Sequence, residues 1–107
     1  MGTFKDAAEF KIPRHIVIKN GVNVETVSTV VNLAYTDSQV QVLNNNAGTD
    51  IDCYLPDMKN GAYFYIRNSG ADEIHVRDVS TTYKQVEAGK TVMIACTGSE
   101  WVVVSYA

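Results

Sequence analysis

No GxSxG elbow, no HExxH pair and no phosphate-cradling glycine loop occurs anywhere in the 107 residues. The usual signatures of a serine hydrolase, a zinc peptidase and a nucleotide-binding enzyme are therefore missing. Histidine is scarce too. His15 and His75 are the only two, and neither has a Cys, Ser or second His at the spacing of a triad or a ligand set. Both read as surface or interface histidines, and a non-enzymatic protein is expected. Cysteine is limited to Cys53 and Cys96. Two cysteines permit one disulfide, but each falls on the apolar phase of an expected strand, where a reduced thiol acts as a small buried hydrophobe. Their wide separation, without a paired histidine, argues against a zinc site.

Long apolar runs are also absent, so no segment reaches the length of a bilayer span and no membrane partner is expected. The first twenty residues have no apolar core of a secretory signal, since Glu9 interrupts the one candidate stretch. Met1-Gly2 begins like a myristoylation signal, but Asp6 stands where that signal needs Ser or Thr. There is no Asn-x-Ser/Thr acceptor, and synthesis in a reducing cytoplasm is expected. A basic excess is missing as well: the formal net charge is −3, which argues against nucleic acid, because phosphate binding needs a concentrated basic face.

What is present is one small domain's worth of hydrophobic residues, 46% of the chain against 20% charged. A chain of this length buries roughly two thirds of its unfolded surface, enough for one core. Lys5, Lys11, Arg14 and Lys19 make the first twenty residues basic, while acidic groups outnumber basic ones in the remainder. Met1 to Pro13 stands apart. Thr3 and Asp6 form a weak capping box with Phe4, Ala8 and Ile12 on one helical face, or the segment is an extended arm that orders against a neighbour. The expected division is an N-terminal arm or short helix over residues 1–13 and a single β-domain over residues 14–107.

After Pro13 the pattern has period two, with turn signals every eight to twelve residues. Ile16 to Ile18 precede Asn20-Gly21, a hairpin-type pair. Val24 to Val31 continue as strand through Leu33 and Tyr35. Val40 and Val42 alternate with Gln39 and Gln41, a strand with a wet face. Ile51, Cys53 and Leu55 point one way, and Asp50, Asp52 and Tyr54 the other. In LPDMKNGAYFYIRNSG, from Leu55 to Gly70, Asn60-Gly61 turns into a strand with Phe64 and Ile66 opposite Tyr63, Tyr65 and Arg67. Further strands are expected at Ile74–Val76, Tyr83–Val86, Val92–Cys96 and Trp101–Tyr106. The sum is an all-β fold, an antiparallel β-sandwich or jelly-roll-like barrel of about eight to ten short strands.

The last strand is apolar on both faces. Either it is central and covered twice, or its second face meets another subunit. Outward tyrosines favour a subunit contact, since aromatics are enriched at interfaces, and the expected oligomer interface is Tyr63, Tyr65, Trp101, Val102, Val104 and Tyr106. Two other clusters stand out. Asp50, Asp52 and Asp57 resemble a calcium-ligand set but lack the glycine and closing glutamate of an EF-hand loop, so no metal is expected. Tyr54, Tyr63, Tyr65, His75 and Arg77 are the residues from which a carbohydrate-binding surface would be made, with a core rim or subunit contact as the competing role. No cofactor is expected.

Several of these segments also resemble a family in their order. They are Tyr35-Thr36, the Asn44–Asn46 loop, the Asp52–Pro56 strand ending in Leu-Pro, and Gly61 to Gly70. Ile74–Val76, Ala88-Gly89 and Gly98-Ser-Glu-Trp101 complete the set. The chain from about residue 35 to residue 104 resembles small virion structural proteins of tailed bacteriophages, the capsid decoration and head-fibre-like proteins. The resemblance implies a structural protein without an active site, a homotrimer on the outer capsid surface that contacts the major capsid protein. On that reading Phe4, Lys5, Phe10, Lys11 and Arg14 supply the capsid contact. The alternative is a tail-fibre or receptor-binding β-module that recognises a cell-surface glycan.

Overall fold

In a computed structural model of the protein, residues 20–107 are described. They form nine strands: β1 Val22–Val27, β2 Val31–Asn32, β3 Val40–Asn45, β4 Ile51–Tyr54, β5 Tyr63–Asn68, β6 Ile74–Arg77, β7 Thr82–Val86, β8 Thr91–Cys96 and β9 Trp101–Tyr106. The strands make two sheets, one in the order β1-β3-β5-β8-β9 and the other β2-β4-β6-β7. The fold is thus all-β and sandwich-like. The expected arm and its boundary at residue 13, the strand at Ile16 to Ile18 and the five capsid-contact residues lie outside the described residues.

Strand direction is mixed rather than wholly antiparallel. From β1 to β6 each successive strand changes sheet, and β1, β3 and β5 run parallel, as do β2, β4 and β6. The chain therefore winds as a two-sheeted coil of three turns. It then reverses: β7 pairs antiparallel with β6, β8 with β5, and β9 with β8. Period-two alternation reports which face is buried and is blind to direction. Turn residues that look like hairpin connections here carry the chain from one sheet across to the other.

The core lies between the sheets. Leu43, Phe64, Ile66 and Ile94 from the larger sheet meet Cys53, Ile74, Val76 and Val86 from the smaller one, all buried. Trp101 joins them at 4% exposure, its ring 6.3 Å from that of Phe64. Both cysteines are free and buried, and burial pushes the Cys53 thiol up to about 12, so it stays protonated and inert. Strand β3 has the opposite phase to a simple reading of its valines: Gln41 is buried, beside Leu43 and Asn45, and Val40 and Val42 face outward. Leu43 belongs to the phase of Gln41, and burying it turns Gln41 in. The Gln41 amide is satisfied there, donating to Ser38 O at 2.7 Å and accepting from Asn23 Nδ2 at 2.8 Å.

Two buried asparagines form the corners of the coil. Asn45 Nδ2 donates to Thr49 O and, one turn further on, to Glu73 O; its Oδ1 accepts the Ala47 N–H. Asn68 repeats the arrangement, donating to Asp72 O and to Val86 O on β7 and accepting from the Gly70 N–H. Each amide closes its own corner and holds the next layer. The layers touch closely there. A Cβ on Gly70 would stand 2.4 Å from Asn45 N and 2.5 Å from Asn45 O, so no larger residue fits without moving backbone.

Asp78 builds the reversal between β6 and β7. Its Oδ1 accepts the N–H groups of Ser80 and Thr81, and its Oδ2 accepts the Tyr83 hydroxyl. The Tyr83 hydrogen bond, joined by those from Ser80 and Thr81, holds the Asp78 carboxyl down at about 2. Desolvation and the same hydrogen bond raise Tyr83 to about 12.

Asn68→Ala removes the side-chain partner of the Gly70 N–H and of the Asp72 and Val86 carbonyls and leaves a gap at a buried position, and is expected to lower the unfolding free energy by roughly 2 kcal/mol, read from urea denaturation. Asp78, depressed in the folded state, contributes stability above its ordinary pKa near 4 that is lost as pH falls towards 2. Tyr83→Phe should therefore move the Asp78 titration upward, as followed by carboxyl NMR, and shift the acid unfolding midpoint to higher pH. An unchanged Asp78 titration would refute the role given to the tyrosine.

Candidate functional site: an apolar outer sheet face

Each sheet has an inner face on the core and an outer face, and the two outer faces differ in chemistry. On the outer face of the larger sheet the register lines up apolar residues in rows. Val22 of β1 stands beside Val40 of β3, which pairs with Tyr65 of β5, which pairs with Met93 of β8. A second row runs from Val24 through Val42 to Arg67 and Thr91. A third joins Tyr63, Ala95 and Val102. Val24 is 72% exposed, Val22 52% and Val104, the extra residue of a bulge in β9, 56%.

A half-solvated sheet normally shows water a polar face. Here Arg67 is the only charged side chain on the face among the described residues, and it is turned to the margin. Its guanidinium donates to Gly89 O at 3.2 Å and to Thr91 Oγ1 at 3.5 Å. The rings of Tyr63 and Tyr65 meet edge to face at 6.3 Å, which stiffens the centre. Between Val40, Val42, Tyr65, Arg67 and Thr91 lies a shallow apolar depression of about 400 Å³. With strands ~4.8 Å apart and ~3.3 Å of rise per residue, five strands of this length present a footprint on the order of 500 Å². The largest apolar patch of a typical monomer is about 300–600 Å² and is often functional, which makes this face the candidate contact surface.

The outer face of the smaller sheet is polar instead. Asp52, Tyr54, His75 and Arg77 project there, with Asp50 and Glu73 at the strand starts; the Arg77 guanidinium lies 5.5 Å from the Tyr54 ring and 3.7 Å from Asp52. A third feature, an open groove of about 580 Å³, runs along residues 23–41 at the first turn of the coil and is lined mainly by polar groups such as Ser28, Thr29 and Asp37. It is the larger concavity, but its walls are wet and its polar groups do not converge on a point. The apolar face is the better contact surface.

The expected interface residues divide between two environments. Tyr63, Tyr65, Val102 and Val104 are exposed on the larger sheet. Trp101 is in the core, and Tyr106 bends back over the end of β7, its hydroxyl accepting the Glu87 N–H at 2.9 Å with Lys84 Nζ 4.0 Å over its ring. Among the described residues β9 stands at the edge of its sheet, and Val102, Val103 and Val104 are exposed there, so of the two explanations for its apolar faces these residues do not show double burial at the centre of a sheet. Val22, Val24, Val40, Val42 and Met93 complete the face and were not singled out from sequence. The signal that finds them is phase: they alternate with Val27, Leu43 and Ile94, which are buried.

The carbohydrate set is split, with Tyr54, His75 and Arg77 on the smaller sheet and Tyr63 and Tyr65 on the larger, so the five do not form one surface. The carboxylate set is regrouped. Asp50 lies with Glu73 and His75, and Asp57 sits apart, its carbonyl accepting the Tyr35 hydroxyl. Comparison of the chain with protein families, with curated proteins and with solved structures finds no match.

Proposed function

We propose that this chain is a virion structural protein of a tailed bacteriophage, a capsid decoration protein that binds the outer capsid surface as a homotrimer and stabilises the head. The observation that carries the oligomer is the apolar face of the β1-β3-β5-β8-β9 sheet. A face with one peripheral charge does not select a partner by charge complementarity. Placed around a three-fold axis with its own copies it brings mainly apolar groups together, and each copy's one charge on the face, Arg67, is engaged by Gly89 O and Thr91 Oγ1 of its own chain, even though the chain as a whole carries −3. A β-branched and tyrosine-rich sheet face is rigid before contact, so little conformational entropy is lost on docking.

The capsid assignment rests on the resemblance of residues 35–104 to decoration and head-fibre-like proteins. In mechanism, each trimer bridges neighbouring copies of the major capsid protein. It binds the assembled shell and not its dissociated parts, and so adds its binding free energy to the assembled state alone. The chain acts by binding and carries out no reaction. The capsid contact is assigned to Phe4, Lys5, Phe10, Lys11 and Arg14, supported by the basic character of the first twenty residues against the acidic remainder.

Light scattering after size exclusion is expected to give three times the 11.8 kDa chain mass. Val42→Glu with Tyr65→Glu, both at outward positions, should return the mass to that of a monomer with the fold kept by circular dichroism. A wild-type monomer would overturn the oligomer. Deleting Met1 to Lys11 should leave the trimer intact and abolish co-sedimentation with undecorated heads of the phage that encodes it. Undiminished binding would remove the anchor from those residues.

A further inference from the structure

The winding of the coil places the residue before β4 next to the residue before β6, so that Asp50 and Glu73 are neighbours, and the register sets Asp52 beside His75. His75 Nε2 lies 3.3 Å from Glu73 Oε1 and 3.5 Å from Asp50 Oδ2. One donor atom from each residue lies within 4.8 Å of the others. A ring nitrogen carries at most one proton, so Nε2 cannot donate fully to two carboxylates that converge on it. A cation at the centre of the triangle satisfies all three.

The spacing also selects the kind of cation. Ligand atoms ~2.0–2.1 Å from a tetrahedral metal stand about 3.3–3.4 Å from one another, close to both distances at Nε2. An imidazole nitrogen with two carboxylates suits a zinc-type ion, whereas calcium takes six to eight oxygens. The surrounding groups orient the ligands. Asp52 Oδ1 lies 3.9 Å from His75 Nδ1, beyond hydrogen-bond length, so it acts on the ring through its charge, on the edge away from the triangle. The other oxygen of Asp50 accepts the Glu73 N–H at 3.0 Å, which fixes that carboxylate across the two turns. Arg77, 3.7 Å from Asp52, offsets the negative charge.

We propose that Asp50, Glu73 and His75 form a binding site for a divalent transition-metal ion of the zinc class, with Asp52 as its positioning residue and a fourth coordination place open to water. The ion ties the second and third turns of the coil together on the face opposite the apolar one.

The test uses the full chain, freed of metal with a chelator and titrated calorimetrically with zinc chloride. Uptake of one zinc per chain is expected. His75→Gln, at a half-buried position on the outer face, should weaken uptake at least tenfold, and Asp52→Asn a few-fold, with a steeper loss as salt is lowered, because it removes a nearby charge and not a ligand. Cobalt should give the intense visible absorption of a tetrahedral site in the wild type and lose it in His75→Gln. Zinc uptake unchanged by His75→Gln, indicating an adventitious ion only, would overturn the site. So would calcium binding as tightly as zinc, or no saturable heat with zinc at all.

Discussion

The side-chain amides of Asn45 and Asn68 are the constraint on which the fold depends. A strand that leaves one sheet and enters the other must turn backbone N–H and C=O groups out of the ladder at the corner, and at the inner side of each corner here a buried asparagine side chain lies against them. Unpaired, each such group is costly. One amide at each corner satisfies an N–H two residues on, a carbonyl four residues on and a carbonyl of the next layer. The same three bonds therefore shape the turn and set the stacking. Gly70 is the steric counterpart, because the layers come together so closely at Asn45 that a side chain would strike backbone.

From that stacking follows the division of the surface. Because consecutive strands alternate between sheets, the outward residues of β1, β3 and β5 collect on one side of the protein, and those of β4 and β6 on the other. Valines and tyrosines far apart in sequence become one apolar face. Acidic residues, a histidine and an arginine become one polar face. The antiparallel strands that follow extend both: β8 and β9 widen the apolar face, and β7 closes the polar one, held at its start by Asp78. A molecule built this way has one apolar and one polar outer face.

The all-β class, the approximate strand count and the inward positions of Cys53, Phe64, Ile66, Ile74, Val76, Val92, Ile94 and Cys96 were legible in the sequence. Burial of one strand face imposes alternation regardless of topology. Tyr63 and Tyr65 were legible as outward for the same reason, whereas Val102 and Val104 were not, because their strand is apolar on both phases and carries a bulge. Strand direction was not, because a parallel and an antiparallel strand have the same alternation. The environment of Trp101 was missed because an aromatic residue at the start of a two-sided apolar strand fits the core and an interface equally well. Gln41 was missed because a polar side chain is turned inward only when its neighbour Leu43 claims the core and nearby groups satisfy its amide.

The sequence by itself determined which residues of each strand avoid water, since that is a local property of spacing and side-chain chemistry. Only the tertiary structure decided which strands are neighbours, and therefore which outward residues meet. The apolar face gathers residues from Val22 to Val104, and the Asp50–Glu73–His75 cluster spans two turns of the coil. Contacts of that kind depend on how the corners stack the layers, and no local pattern encodes them.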